Sequence, residues 1–432
     1  MGAGTLLNSA NAHSKAQMTI HAVVLTDEGS RGALDLLRSL AYENIEAVVA
    51  SPDPHDIAGT SRFCKELIEL SHYSPDTDEE NVQKLKNLAE RSNEKPVLFY
   101  GDDAEMMFIS RKREVLSQCF HFLLPEPELA EKLVDKVQFQ KLAESYNLPV
   151  PASHLVYSYD ELTRISGTLK YPAFVKPAFP GSWTFDTPEL VRKYRSYKHA
   201  LRQFYSAEDM LDYCHDLPLE NGGVLVQEFI GGSDREVFSF HGYFDEHSRV
   251  LAYFIGRKIR TYPVHHGGSA FIETVDEPTV AKICIEALQK IGFTGVTKVD
   301  LKRNPRDGSF QILEVNPRYT LWVSLGAFAG MNLPAIAYHH QRGHKVEPVP
   351  PVYHLGYKWL FFKQDLRSFF SGYWRNGEWT PLQYLASLRG KKIYQFFDWR
   401  DPMPFFHAGA RFWKKNLGRI AQRVADTAGI GR

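Results

Sequence analysis

Three side chains in the last third of the sequence have the types and spacing to hold a metal-bound phosphate. Asp300, Glu314 and Asn316 lie on two apolar runs, TKVDLKR and SFQILEVN, separated by NPRDG. Pro305 and Gly308 suit a tight turn, so the runs read as a hairpin. Asp300 and Glu314 are equidistant from Asp307, which places them roughly opposite each other. Strand alternation puts Lys298, Asp300 and Lys302 on one face. It also groups Glu314 with Asn316, and with Arg318 if the strand runs on. Two carboxylates and an amide form an oxygen-rich set of the kind Mg²⁺ uses when phosphates supply its other ligands. For an isolated hairpin the plainer reading is a solvated sheet face with cross-strand ion pairs.

Upstream motifs shift that balance. FVKPA ends an apolar strand on Lys176, and PGSW follows with Gly181 and Ser182, a turn able to offer backbone N–H groups to phosphate. A strand-end lysine alone is usually just solvated. VLVQEFIGGSDREV gives a strand closing on Glu228, then Phe229, Ile230, a glycine turn and Glu236. FIGRKIRTYP carries Lys258 between Arg257 and Arg260. Adjacent His265 and His266 lack further metal-ligand spacing, so PVHHGGSAF reads as a loop over an acceptor pocket, with Gly267 and Gly268 giving it freedom to move.

The elements that must position these groups are legible in outline. IHAVVLTDEG, RGALDLLRSLAY and IEAVVAS form a βαβ opening, extended by KPVLFYGDD, which implies a parallel sheet. After the first strand only Gly29 and Gly32 appear, which lacks the glycine spacing of a dinucleotide-binding turn. A helix from about Pro127 contains Asp135 and Lys136 and ends near Asn147, where Pro149 and Pro151 block continuation. Strands and helices then alternate before the long hairpin, giving an α/β part followed by an α+β part. The segment TFDTPELVRKYRSYKHALRQF is dense in Arg and Lys and reads as a solvated helix face, with an anion-attracting lid as the alternative.

Composition narrows the classes. The 432 residues are 44% hydrophobic, and 51 Lys plus Arg balance 51 Asp plus Glu, so no nucleic-acid partner is indicated. Cys64, Cys119, Cys214 and Cys284 show no zinc or disulfide spacing, which suits a cytoplasmic protein. The start reads as a disordered leader, and no run approaches the roughly 20 apolar residues of a membrane span. At the other end Trp413, Leu417, Ile420 and Val424 form an apolar stripe, with Arg411, Lys414, Lys415, Arg419 and Arg423 around it. Packing on the core is the commoner fate of such a helix. A peripheral contact with an anionic inner membrane face is the alternative.

The order of the motifs resembles the ATP-grasp superfamily of carboxylate–amine ligases over roughly residues 20–345. A DK helix start, a strand-end lysine, an acidic hinge, a ribose-binding glutamate, a further lysine and an acid followed by Glu-x-Asn occur there in the same order. The RSL helix, the GRKIRTYP strand and the aromatic tail look most like D-aspartate ligases, and the whole is also similar to carbamoyl-phosphate-synthase-like members. The resemblance implies the ATP-grasp fold, with a leader at 1–19, a Rossmann-like preATP-grasp domain at 20–125 and an ATP-grasp domain at 126–345. The lid would span about 156–228, and an aromatic-rich extension 346–432.

It further implies that Lys136, Lys176, Gly181 and Ser182 hold the phosphates of ATP, and that Glu228, Phe229 and Ile230 meet adenine. Glu236 would bind ribose, and Lys258, Lys298 and Arg318 would serve the transferring phosphoryl group. Asp300, Glu314 and Asn316 would hold one or two Mg²⁺, with Mn²⁺ an alternative. The expected activity joins small-molecule carboxylate and amine substrates through an acyl phosphate. KPAFPGSW is poorer in glycine than many family phosphate loops, and Lys298 stands where relatives often carry another residue. The competing readings are a non-catalytic ATP sensor or scaffold and a biotin-carboxylase-like enzyme, though no AMKM-like biotinylation motif is present.

Overall fold

The computed structural model describes residues 19–27, 32–177, 189, 202–217, 219–220, 222–265 and 267–412. The leader up to residue 18, Gly29, Gly181, Ser182, His266, most of the Arg- and Lys-rich segment and the tail from Trp413 lie outside the described residues.

The first sheet is parallel, with β1 (Ala22–Leu25), β2 (Ala47–Ser51), β3 (Cys64–Glu69) and β4 (Val97–Tyr100) in the order β3-β2-β1-β4. β1, β2 and β4 are buried along their whole length, as expected of strands covered on both faces. CKELIE, which forms β3, is half-exposed at an edge and carries no continuous apolar run to announce it.

A second, antiparallel sheet contains β5 (Ser153–Val156), β6 (Ala173–Pro177), β7 (Arg202–Phe204) and β8 (Val224–Glu228), in the order β5-β8-β6-β7. The helices Tyr159–Ser166 and Ala207–Cys214 cover it, and Leu162, Met210 and Cys214 meet Val175, Val224 and Val226 in a small separate core.

Among the described residues the third sheet has seven strands. β9 (Val237–Phe244), β10 (Val250–Tyr262), β11 (Gly268–Thr274), β12 (Gly295–Arg303) and β13 (Phe310–Asn316) pair antiparallel. β14 (Lys358–Leu360) and β15 (Lys392–Tyr394) complete the order β13-β12-β9-β10-β11-β14-β15. The aromatic-rich C-terminal part therefore supplies two strands of the central sheet. Buried Trp322, Trp359 and Tyr319 share one continuous core with the parallel sheet, so these two layers are packed as a unit.

Candidate functional site

β12 and β13 do form the expected hairpin, and Asp300 pairs with Glu314. A bulge makes this pairing. From the turn the register runs Arg303 to Phe310, Lys302 to Gln311 and Leu301 to Ile312, which would bring Leu313 opposite Asp300. Leu313 is instead the extra residue, and Glu314 takes the position across from Asp300, followed by Val315 with Val299 and Asn316 with Lys298. Phe310, Ile312 and Val315 point into the core, while Leu313 and Glu314 both line a cleft. Bulges next to functional sites redirect side chains in this way.

That cleft, about 270 Å³, lies between the second and third sheets. Lys176 and Glu228 reach it from the second sheet, and Phe229 and Ile230 from the chain that follows. Lys258, Asp300 and Glu314 reach it from the third. Sequence elements up to 138 residues apart thus line one cleft, 138 being the separation of Lys176 and Glu314.

Asp300 is the electrostatic centre. Lys298 Nζ lies 2.8 Å and Lys258 Nζ 3.4 Å from its Oδ2, and Ser239 donates to Oδ1. Burial opposes its charge, yet Lys258 and Lys298 hold its carboxyl well below the usual carboxylate range. Burial likewise works against the Lys258 ammonium, but Asp300, Glu314 and Asp234 together raise its pKa. Lys176 has a poorer setting. Burial and the nearby Lys136 pull it down to about 8, with Glu314 opposing. Its ammonium donates to Gln227 Oε1 at 3.1 Å, and Gln227 is itself held by Ser153 at 2.8 Å.

Lys258 is singled out from its basic neighbours by a second irregularity. The register of β10 against β11 slips around Ile259, and Lys258 and Thr261 face the cleft. Arg260 is fully buried on the other side, in a bidentate pair with Asp365 at 2.6 and 2.9 Å among the rings of Phe271, Trp379 and Tyr384. Arg257 pairs with Glu273 at 2.6 Å.

Other expected residues sit differently. Lys136 opens its helix behind Asp135, whose carboxylate caps Val137 and Gln138 at 2.9 Å. The DK pair is therefore also a helix start. Glu236 pairs with Arg303 at 2.6 Å and is not among the cleft-lining residues. Arg318 lies beyond the end of β13 and crosses to the parallel sheet, bonding Asp103 at 2.5 Å and the Gly101 carbonyl at 3.2 Å. Asn316 donates to Glu314 Oε1 at 3.1 Å. The amides of Glu228 and Phe229 are taken by the carbonyls of Ala152 and Pro172, both at 2.9 Å.

Sequence reasoning missed Phe174, Gln227, Asp234 and Leu313, and it grouped Lys302 with Asp300 without giving it a role; all five line the cleft. Phe174 and Phe229 lie 6.3 Å apart, and Lys302 stands over the Phe229 ring at 4.8 Å. The i, i+2 step from Lys176 to Phe174 on one strand, and from Asp300 to Lys302 on another, was the available signal. Asp234 is buried. It accepts from the Tyr373 hydroxyl and from Thr261 Oγ1 at 3.1 Å, and His265 Nδ1 lies 3.5 Å away.

Among the described residues no group of three or more His, Cys, Asp or Glu could hold a metal ion alone. Two carboxylates with an amide still fit Mg²⁺, which keeps waters and phosphate oxygens as its remaining ligands. Asp300 already satisfies two lysines and a serine, so Glu314 and Asn316 are the members that would meet such an ion first.

A lid sheet and a core sheet enclosing a lysine-lined cleft, behind a parallel α/β layer, is the ATP-grasp fold. Solved structures with this arrangement include N5-carboxyaminoimidazole synthetase from Staphylococcus aureus complexed with ADP (TM-score 0.56, 13% identity, 78% of this chain and 81% of that one). Biotin carboxylase from Campylobacter jejuni gives 0.54, 15%, 76% and 72%.

Residues 244–360 match the family described as ATP-grasp in the biosynthetic pathway with Ter operon. D-aspartate ligase from Enterococcus faecium is 25% identical over 270 residues, 60% of this chain. The C-terminal section of a carbamoyl phosphate synthase large chain from Methanocaldococcus jannaschii is 24% identical over 326 residues, 72% of this chain. The chain spans 62% of the first relative's length and 47% of the second's.

Proposed function

We propose that this protein is an ATP-dependent ligase that joins a carboxylate to an amine through an acyl phosphate. The observation that carries the reading is the convergence of Lys176, Glu228, Lys258, Asp300 and Glu314, from two different sheets, on one cleft. Phosphoryl transfer needs mainly positioning and neutralisation of charge, which fixed ammonium groups over a buried carboxylate supply. The D-aspartate ligase relative supports the carboxylate–amine class.

In this reading the apolar slot of Phe174, Phe229, Ile230 and Leu313 takes the adenine. Its hinge-edge contact falls to Ile230, because the two preceding amides are already bonded. Ribose is assigned to Glu236, which must exchange its Arg303 partner for the sugar hydroxyls. Lys176, Lys136, Gly181 and Ser182 hold phosphate oxygens, and Lys258 and Lys298 face the terminal phosphate. Glu314 and Asn316, with Asp300, would hold Mg²⁺, which when bound screens the charge of the β- and γ-phosphates. A substrate carboxylate oxygen attacks the γ-phosphorus as the bond to ADP breaks. The amine nitrogen then attacks the acyl carbon, phosphate leaves and the nitrogen loses a proton. The cytoplasm is the compartment that suits four cysteines outside disulfides.

The test is a phosphate-release screen of the full chain with ATP and Mg²⁺ against paired carboxylic acids and amines, followed by mass spectrometry. The expected product weighs the sum of acid and amine less one water, and forms with one ADP. ATP bound tightly with no ADP formed across the screen would assign the protein to binding alone. Bicarbonate-dependent ADP formation without an amine would assign it to carboxylation.

A further inference from the structure

The C-terminal part carries an aromatic face that the ligase reading does not use. Phe362, Trp399, Met403, Phe405, Phe406 and Phe412 are all exposed, with Trp399 at 87% and Phe406 at 61%. They form one patch. Phe397 contacts Trp399 at 4.7 Å and Phe405 at 5.5 Å between ring centres, and Phe405 contacts Phe406 at 5.6 Å. Phe362, Phe405 and Phe412 also line a predominantly apolar cavity of about 520 Å³, into which the helix over 403–412 presents Ala408 and Gly409. An exposed apolar area of this kind marks an interaction surface.

Charge identifies its occupant. Three acids beside the patch are already matched: Asp53 by Arg411 at 3.0 Å, Asp398 by Arg400 at 3.0 Å and Asp401 by Arg38 at 3.2 Å. The chain leaves the patch at Phe412, and the sequence continues with Trp413, Lys414 and Lys415, then Arg419 and Arg423. Aromatic rings beside a basic run suit a surface that is apolar beneath and anionic at its boundary. A second copy is a poorer match, because a two-fold contact sets the same patch against itself and supplies no anionic partner for a basic sequence. Among the described residues no helix is long and apolar enough to cross a membrane.

We propose that this aromatic face, with the basic run that follows it, docks the protein on the surface of an anionic lipid bilayer. The inference stands on the patch and its charges and is independent of the ligase reading.

The full chain would be sedimented with vesicles of phosphatidylcholine alone and of phosphatidylcholine with phosphatidylglycerol. It should sediment only with the anionic vesicles and be released by salt. Trp399→Ser with Phe406→Ser, and separately Lys414→Gln with Lys415→Gln, should each weaken binding roughly tenfold or more. Brominated lipid tails should quench part of the tryptophan emission, and Trp399→Phe should lessen that quenching while leaving the protein bound. No sedimentation with anionic vesicles, or sedimentation that survives the aromatic pair of substitutions, would overturn the proposal. So would a concentration-dependent dimer, seen by light scattering, that the aromatic substitutions abolish while vesicle binding is absent.

Discussion

Glu378 Oε1 lies 2.9 Å from His265 Nε2, joining the C-terminal part of the chain to the loop that edges the cleft. The other side of the same imidazole faces Asp234, and Asp234 is fixed by Tyr373, whose hydroxyl also accepts from the Thr261 amide at 2.8 Å. Hydrogen bonding to Asp234, and then the charges of Asp234 and Glu378 against the cost of burial, raise the pKa of His265. A region remote in sequence from every recognised motif thus holds one wall of the proposed nucleotide site. Glu378→Gln should leave the fold unchanged, since the side chain is partly exposed, and should raise the KM for ATP about three- to tenfold with a smaller change in kcat. Unchanged ATP affinity by calorimetry would make the contact purely structural.

Asp300 and Glu314 are paired across the hairpin, yet they should respond differently to substitution. Glu314 is exposed at the cleft, so Glu314→Ala should abolish turnover and leave the melting temperature nearly unchanged. Asp300 is buried between two ammonium groups. Asp300→Asn takes from Lys258 and Lys298 the one carboxylate both contact, at a cost of about 3–5 kcal/mol. Comparing thermal melts of the two variants checks this. An Asp300→Asn protein as stable as the parent would mean that the lysines find other partners.

The hairpin shows how much the sequence reveals and where it stops. Composition and turn residues place both strands, and counting from Asp307 pairs Asp300 with Glu314, but the bulge at Leu313 that makes the pairing is not visible as a pattern. The same holds for β10, where Arg257, Lys258 and Arg260 look equivalent along the chain and the slip at Ile259 separates their fates. Arg318 belongs to a recognisable motif, but its partner Asp103 lies 215 residues away and nothing local points to it. Periodicity reports which face a residue occupies. Pairing across the sheet, and across layers, is settled by packing, which no short window of sequence contains.

If Lys176 holds phosphate as proposed, its depressed pKa should make nucleotide binding depend on pH. With a pKa of about 8 in the free protein, the ammonium is present below that value and is lost as pH rises through it. A bound phosphate favours the charged form, so binding above pH 8 takes up a proton, and affinity should fall by up to about tenfold per pH unit there. Lys176→Met should bind ATP more weakly at neutral pH and flatten this slope. The sign for stability is opposite. The unfolded lysine holds its proton to a higher pH, so the wild type loses stability as pH falls from above 10 towards 8. The Met variant should then be more stable at pH 7 by about 1–2 kcal/mol, after allowance for partial exposure. Calorimetric titrations with ATP and thermal melts at pH 7 and 9 measure both effects. A pH slope kept by Lys176→Met would assign it to another group.

Arg38, in the first helix, is buried against the far end of the described chain. Its guanidinium donates to the Gln395 carbonyl at 3.0 Å, to the Phe396 carbonyl at 2.9 Å and to Asp401 Oδ2 at 3.2 Å, and Asp401 also accepts from Ser61 Oγ and the Arg62 amide, both at 2.9 Å. Asp401→Ala leaves that guanidinium buried with carbonyl partners alone and should cost about 3–5 kcal/mol. Because β14 and β15 belong to the central sheet, the loss should appear as one cooperative transition shifted to lower temperature, not as early release of the C-terminal part. Far-ultraviolet circular dichroism and tryptophan emission followed through the same melt distinguish the outcomes. Trp359 lies in the central sheet and Trp399 beside Asp401, so coincident curves are expected from whole-chain unfolding. Two separated transitions, only the lower one moved by the substitution, would show that residues after about 346 melt on their own.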